Sequence, residues 1–480
     1  MTANPALRDF LEIPYDQLEE MNLAVKEQRL ARVDPEQVRE ERIRYLEEEK
    51  RIKAVSVCFT DLEGRLHMLD YDKKFLLKSY DNLTFDGSSI RGFSAQSESD
   101  LRLAIDWTAF YWLPSDVFGP GKVLVFGEVH ERGGDVYRAD LRGRLKAFLA
   151  ERFAADGTVA FAANEIEGFL FKGANAERRY HATDHFEYCS TGGYYHSLPN
   201  DPLRLFIDSA AEAQRAMGFS NEKDHPEVAP SQFEMNFAYT EAVIAADQFQ
   251  LYKLLCRQIA QRMDMTASFL PKPVVGVNGS GAHTNLSLAR KGKNLFHDTK
   301  GEEGLSQLGW DMIDRILNSA PDICLVLNPS VNAYRRLDPH FEAPNQIKVS
   351  PIDRGSMIRI PLGNEKSARI EVRSVGPDAN IYMTLYTLLR TGLEGPPSPP
   401  NDDAKRARTR FLPSNVHDAI RLFKASKWTT DLLGADVADK YAELKLASAD
   451  RCPKALGTRV KASEVMFHHE VTNQVLWNTF

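Results

Sequence analysis

Five separate stretches of this chain alternate polar and apolar side chains with a period of two, and no other feature constrains the fold as tightly. Between Phe161 and Phe171 the odd positions carry Glu165 and Glu167 between Phe161 and Phe169. In Gln232-Phe233-Glu234-Met235-Asn236-Phe237 the polar residues take one parity and the apolar residues the other. His283, Asn285 and Ser287 oppose Ala282, Leu286 and Leu288. The charges of Arg369-Ile370-Glu371-Val372-Arg373 alternate with Ile and Val, and Arg359 stands between Ile358 and Ile360. Successive strand side chains point to opposite faces, so each stretch reads as a β-strand with one apolar and one polar face. A single such strand belongs to any half-solvated sheet. Several that put acids on the polar face are different, because carboxylates at i and i+2 repel unless a cation neutralises them.

Glu165, Glu167, Glu227, Glu234 and Glu371 with the imidazole of His283 form an oxygen-rich set suited to Mg²⁺ or Mn²⁺, unlike the thiolate and imidazole sets of structural zinc. Arginines from nearby strands are the usual partners of phosphate and carboxylate oxygens. Carboxylates, hard metals and arginines on one face point to phosphoryl transfer, in which positioning and charge neutralisation do most of the work. A nucleotide-dependent ligase or kinase is therefore the first candidate, and a two-metal hydrolase shares the composition. There is no Gly-x-x-x-x-Gly-Lys-Ser/Thr loop and no kinase signature set.

The length of 480 residues suggests two or three domains with a core that needs no staples. The five cysteines are widely spaced with no Cys-x-x-Cys, as expected of reduced thiols. No stretch approaches the roughly 18 apolar residues of a membrane span, and a net charge of −7 gives no electrostatic case for nucleic acid. A cytoplasmic protein with neither membrane nor nucleic-acid partner is expected. Residues 1–53 hold thirteen acidic and ten basic side chains. Within them Asp34-Pro35-Glu36-Gln37 predicts a helix start, and the segment reads as a charged helical extension, either an arm toward a neighbouring subunit or a solvated helix. Two strands around a Gly turn follow from Ile52. A capped helix opens at Asp201-Pro202, a long buried helix spans Thr240 to about Met263, and Gly395 to Pro400 reads as a surface loop.

Asn278-Gly279-Ser280-Gly281-Ala282-His283-Thr284-Asn285 resembles the Asn-Gly-Ser-Gly-x-His signature of glutamine synthetases. Phe85-Asp86-Gly87-Ser88-Ser89-Ile90 resembles the family's Asp-Gly-Ser-Ser loop. Asn328-Pro329 through Tyr334-Arg335-Arg336-Leu337 to Phe341-Glu342-Ala343-Pro344 resembles its arginine and flap segment, and Arg369 to Asn380 its Arg-Ile-Glu-Val-Arg segment. The match runs from about Ile52 to Phe423 in the family's order, closest in wording to the type I bacterial and archaeal branch. It implies an α+β fold: a small β-grasp domain over about 54–134, and a catalytic domain over 135–480 with a curved antiparallel sheet flanked by helices. The implied reaction is ATP-dependent ligation of ammonium to L-glutamate through γ-glutamyl phosphate. It would use two or three Mg²⁺ or Mn²⁺ per site, in a homo-oligomer of two stacked hexameric rings (a dodecamer) whose neighbours share active sites.

Carried over by position, the resemblance implies that Glu167, Glu227 and Glu234 hold one metal and Glu165, His283 and Glu371 another. Arg354 and Arg359 would neutralise phosphoryl oxygens, while Arg336 and Arg373, with Asn278 and Gly279, would seat glutamate. Ser287, Lys366 and Arg369 would lie near the nucleotide. Asp86, Ser89, Tyr194, Glu227 and Glu342 would form the ammonium pocket, with Asp86 as proton acceptor. A relative that joins glutamate to an alkylamine or polyamine would share this machinery, and a non-catalytic paralogue would be expected to lack part of it. The chain departs from the family in three places. No tyrosine lies between Tyr386 and Tyr441, so regulation by adenylylation is not expected; Asn285 replaces a frequent histidine; and the 1–53 extension is long. His468-His469-Glu470 reads as solvated, and the apolar end from Val471 to Phe480 as a surface that a neighbouring subunit covers.

Overall fold

The computed structural model describes residues 12–183, 185–399 and 409–454. His468 to Glu470, the apolar C-terminal stretch and residues 400–403 of the proline-rich segment lie outside them. Pro396, Pro397 and Pro399 are exposed beyond the helix Ile381–Glu394, as a surface loop requires.

Two sheets organise the chain. The smaller has five strands: β1 (Ala54–Thr60), β2 (Leu66–Asp72), β3 (Thr84–Asp86), β4 (Asp100–Trp112) and β5 (Lys122–His130), in the order β2-β1-β5-β4-β3. β1 and β2 form the hairpin expected around the Gly turn, with Gly64 at φ +87°. β1 and β5 pair in parallel, and the fold is a β-grasp domain.

The larger sheet has ten strands: β6 (Thr158–Lys172), β7 (Asn221–Pro226), β8 (Gln232–Phe237), β9 (Thr240–Glu241), β10 (Met265–Ser268), β11 (Ala282–Arg290), β12 (Lys293–Asn294), β13 (Gln346–Ser350), β14 (Ser356–Arg359) and β15 (Ile370–Val372). Its main path is β13-β14-β15-β11-β6-β8-β7, so the five alternating stretches are neighbours in one sheet. Their pairing is antiparallel. Only the edge strand β13 departs, running parallel to β14 with an irregular register between Gln346 and Val349, so the sheet is mixed rather than wholly antiparallel. Along β6 the even residues are buried and the odd residues from Val159 to Glu167 half-buried, the period that two unlike faces produce. Ile166, Phe233, Met235, Leu286, Ile370 and Val372 form the apolar underside. The helix Ala242–Arg262 covers it, buried over most of its length, near the span expected from Thr240 to Met263.

The N-terminal extension packs on its own chain. Asp34 caps the helix Pro35–Glu48 as its sequence predicts, accepting from Glu36 N–H. In the preceding helix, Tyr15–Leu30, the buried residues Leu18, Asn22 and Val25 recur at helical spacing. Asn22 donates to the carbonyls of Trp112 (3.0 Å) and Ala216 (2.8 Å) and accepts from Trp112 N–H. Arg29 reaches the fully buried Asp247 at 2.9 Å. Leu18, Val25, Val38 and Leu46 are buried as well, so one face of the segment docks through a few apolar residues and these polar contacts while the other meets solvent.

A carboxylate and arginine site on the polar face of the large sheet

The antiparallel register places Glu165 of β6 opposite His283 of β11, and Asn285 of β11 opposite Glu371 of β15. Ligand atoms of Glu165, His283 and Glu371 consequently lie within 4.8 Å of one another. His283 Nδ1 is 3.4 Å from Glu165 and 3.9 Å from Glu371. Glu371 is fully buried and accepts from Arg359 and Arg373, each at 2.5 Å. Burial opposes ionisation of Glu165, but hydrogen bonds from His283 and Asn285 and the charges of His283 and Arg373 outweigh it and hold its carboxyl at about 2.

A second cluster joins Glu227 and Glu234 to His225, again with ligand atoms within 4.8 Å. Glu167, opposite Glu234 in the β6–β8 ladder, stands between the two groups. Burial, then the charges of Glu167 and Glu234, push the Glu227 carboxyl up to about 9. Burial likewise raises Glu167, helped by Glu234 and opposed by His283 and Arg336. Acids that lift one another this far fit a site built around a cation, and a donor set of carboxylates with one imidazole suits a hard divalent ion.

The glycine-rich loop before β11 braces this face. A Cβ at Gly281 would stand 2.5 Å from Arg336 Nη2 and 2.8 Å from His283 Nε2, and one at Gly279 would meet Pro271 O at 2.4 Å. Gly281 N–H instead donates to Glu167 at 2.7 Å. Arg336 is buried at the end of the helix Val331–Arg336; one amino group donates to Arg373 O at 2.8 Å. Its Nη1 is buried without a hydrogen-bond partner among the described residues. Such a donor costs about 1–3 kcal/mol and fits an anionic substrate group. Glu342 follows a short 3₁₀ turn in left-handed conformation, φ 60°, and accepts from Asn278 at 3.3 Å, joining the flap to the loop.

A cavity of about 250 Å³ opens beside Glu165, lined by Asn285, Ser287, Lys366 and Arg369 among others. Asn285 donates to Glu165 at 3.0 Å and accepts from Arg369 Nε at 2.9 Å, so it links a candidate metal ligand to a cavity arginine. Tyr239 and Phe161, also lining it, meet edge-to-face at 5.6 Å.

Tyr194 lies against Tyr195, with ring centroids 3.8 Å apart, and His225 closes on both rings. The charge of Arg354 acts on the Tyr194 hydroxyl, and the Arg354 carbonyl accepts from Arg373 Nε at 3.0 Å. Asp86 and Ser89 lie elsewhere, where β3 ends at the edge of the small sheet. Asp86 is exposed, and hydrogen bonds from Ser88 and Ser89 of its own loop hold its carboxyl below the usual range.

Sequence reasoning missed His225, Gln232, Glu222 and Tyr239. His225 and Gln232 share strand parity with Glu227 and Glu234, which was the available signal. Gln232 donates to Gly279 O at 2.9 Å and approaches Glu167 at 3.5 Å. Glu222 and Tyr239 enter the cavity at the open end of the β7–β8 hairpin, where Asn221 pairs with Phe237, and no local pattern marks them.

The family model described as glutamine synthetase, beta-Grasp domain, matches residues 51–132, and that described as glutamine synthetase, catalytic domain, matches residues 138–462. A glutamine synthetase of Staphylococcus aureus is 34% identical over 424 residues, covering 84% of this chain and 93% of that one. One of Methanosarcina mazei is 36% identical over 415 residues, covering 82% and 90%. Among solved structures, a GmaS/ADP complex superposes with a TM-score of 0.75 at 25% identity, covering 88% of this chain and 99% of that one. GmaS without ligand gives 0.74 at 26%, covering 88% and 98%. No helix among the described residues is long and apolar enough to cross a membrane.

Proposed function

Because the chain belongs to the glutamine synthetase family, we propose that it ligates ammonia to the γ-carboxylate of L-glutamate at the expense of ATP, through γ-glutamyl phosphate, releasing glutamine, ADP and phosphate. The observation that carries this reading is the shared wall: Glu165 belongs both to a carboxylate–imidazole cluster and to the adjoining cavity, while a buried arginine with an unpartnered amino group stands on the other side of that cluster. A nucleotide in the cavity and an anionic substrate at Arg336 would meet over the clusters.

Glu165, His283 and Glu371 would hold one Mg²⁺ or Mn²⁺ and Glu167, Glu227 and Glu234 another; once bound, the ions neutralise charge on the phosphates. Arg359, poised on Glu371, and Arg354 would receive charge that builds on the transferring phosphoryl oxygens. Arg336 Nη1 and Arg373, with the backbone around Asn278 and Gly279, would seat the glutamate carboxylates. Lys366, Arg369 and Ser287 would line the nucleotide side, with Tyr239 and Phe161 offering rings to a base. Ammonium would enter near Tyr194, Glu227 and Glu342. A proton would pass to Asp86, contributed by a neighbouring copy, as nitrogen meets the acyl phosphate. The exposed position of Asp86 on the other sheet supports sites shared between copies; the proposal is completed by a cytoplasmic dodecamer of two hexameric rings, on the type I plan, with domains at 54–134 and 135–480.

A second reading, γ-glutamyl amide formation from an alkylamine, draws support from the likeness to GmaS, a γ-glutamylmethylamide synthetase, and from the two tyrosine rings at the acceptor side. ATP-dependent phosphate release with glutamate and Mg²⁺, comparing ammonium, methylamine and putrescine, separates the two. Ammonium is expected to give the highest kcat/KM, with no release by Glu371→Gln. A higher value for an amine would replace the first reading by the second, and no release with any acceptor would refute both.

A further inference from the structure

A second cavity among the described residues is larger than the one beside Glu165. It measures about 730 Å³ and lies between the N-terminal extension, β4, the helix Leu141–Asp156 and the beginnings of β6 and the helix Ala242–Arg262. Two of its walls are the helices Leu141–Asp156 and Ala242–Arg262, and the second covers the apolar underside of the large sheet, which puts the cavity behind the polar face. Its size falls within the roughly 300–1,000 Å³ of small-molecule sites, and like them it combines an apolar body with a few polar groups.

The body is made by Leu149, Ala150, Phe153, Val159, Val243 and Ile244, and two further rings, Tyr80 and Trp107, meet edge-to-face at 5.8 Å. The cations of the lining are mostly neutralised. Arg29 pairs with Asp247 and Arg32 with Glu241 at 2.8 Å, Arg39 with Glu36 at 2.5 Å, and Lys146 with Asp106 at 3.0 Å and Glu128 at 2.5 Å. Two groups stand apart. The hydrogen bonds of Arg102 go to neutral oxygens, Asn82 Oδ1 at 2.9 Å and Arg132 O at 3.2 Å. Arg39 Nε is buried without a hydrogen-bond partner among the described residues. The acid left over, Asp81, is exposed to water at the rim.

A guanidinium facing only neutral acceptors and an orphaned N–H beside three aromatic rings call for an anion attached to a flat apolar body. We propose that this cavity is a second ligand site, separate from the candidate catalytic face, that binds a small planar organic anion with its charge at Arg102, a further hydrogen bond from Arg39 Nε, and its ring among Tyr80, Trp107 and Phe153. Arg32 forms the entrance. Its backbone is left-handed, φ 53°, and its guanidinium lies 4.1 Å from the centre of the Phe153 ring while bound to Glu241, so the turn after the first helix straps the opening. A ligand there would touch the extension, the small sheet and the catalytic domain at once.

The probe is 8-anilinonaphthalene-1-sulfonate, followed by fluorescence on the full chain and, to discount probe held at the cavity beside Glu165, on Arg369→Glu. We expect saturable binding near one per chain. Arg102→Glu should weaken it at least about tenfold, the loss of one charge-assisted contact, and Ala150→Trp should abolish it by filling the cavity. Thermal unfolding of these two variants, read in parallel, should match the unsubstituted protein without probe and lose the rise in Tm that the probe gives it. The uncharged N-phenyl-1-naphthylamine should bind at least about tenfold more weakly than the sulfonate. Displacement by adenosine 5′-monophosphate would identify a nucleotide as the anion, and displacement by indole-3-acetate an aromatic carboxylate. Probe affinity unchanged in both variants, or equal affinity for the uncharged analogue, would overturn the proposal.

Discussion

Replacing Asn285 by alanine removes two hydrogen bonds at once, the one it donates to Glu165 and the one it accepts from Arg369. Asn285 is 5% exposed, so water does not readily replace either partner. Glu165 would keep only the His283 contact at 3.4 Å, and Arg369 the Ser367 carbonyl at 3.2 Å. A hydrogen bond to a charged group contributes about 1.5–3 kcal/mol, and each 1.4 kcal/mol or so is tenfold in rate. Losing the Glu165 bond alone therefore predicts a fall of about 10- to 150-fold in kcat/KM for ATP. Phosphate release measured against ATP, and separately against Mg²⁺, should show both half-saturation points rising. The KM for glutamate should hold, because Arg336 and Arg373 lie outside this chain of contacts. Asn285→Asp should do at least as much damage, since it sets a second carboxylate at hydrogen-bond distance from Glu165. Dependence on ATP and Mg²⁺ within twofold of the unsubstituted protein would refute the idea that Asn285 positions Glu165.

Sharing of sites between copies can be tested by co-expressing Asp86→Asn with Glu371→Gln chains. Each alone should be inactive, whereas random mixed rings should regain about a quarter of the sites; no recovery would place Asp86 and Glu371 in one chain's site. Stability should also depend on Lys253, a buried amine that burial and the charge of Arg257 lower to about 7 while it donates to Pro377 O at 2.8 Å. The unfolded chain holds that proton up to about pH 10.4, so between about 7 and 10.4 the unfolded state binds more protons and stability rises with pH. A gain of about 2 kcal/mol from pH 7 to 9, seen as a rising urea midpoint, should flatten in Lys253→Met; equal slopes would refute the assignment.

The candidate catalytic face was legible because its strands carry polar side chains on one side only. A period of two survives in sequence when one face packs on an apolar helix and the other gathers charge, buried or not, and Glu165, Glu167, Glu234, His283 and Glu371 all fall on the charged side. What stayed hidden depends on partners far away in the chain. The docking of Asn22 is written in the carbonyls of Trp112 and Ala216, and Arg29 has meaning only beside Asp247. His225 and Gln232 had the right parity, but an imidazole or an amide among acids does not announce whether it ligates or braces. The second cavity has no sequence signature, because segments scattered from Arg29 to Ile244 build its walls.

Arg29, Asp247, Arg142 and Asp106 meet in one buried ionic knot, in which Arg142 binds Asp247 at 2.8 Å and Asp106 at 2.9 Å. Removing one member of such a knot leaves a stranded charge, whereas exchanging several together can be neutral. The first helix is thereby entrenched. Its arginine lies outside the two segments that the family models match, yet the helix Ala242–Arg262 and the small sheet hold carboxylates that answer to it. Descendants of this chain can drift at these positions only in concert, so an accessory segment has become part of what is inherited as a unit.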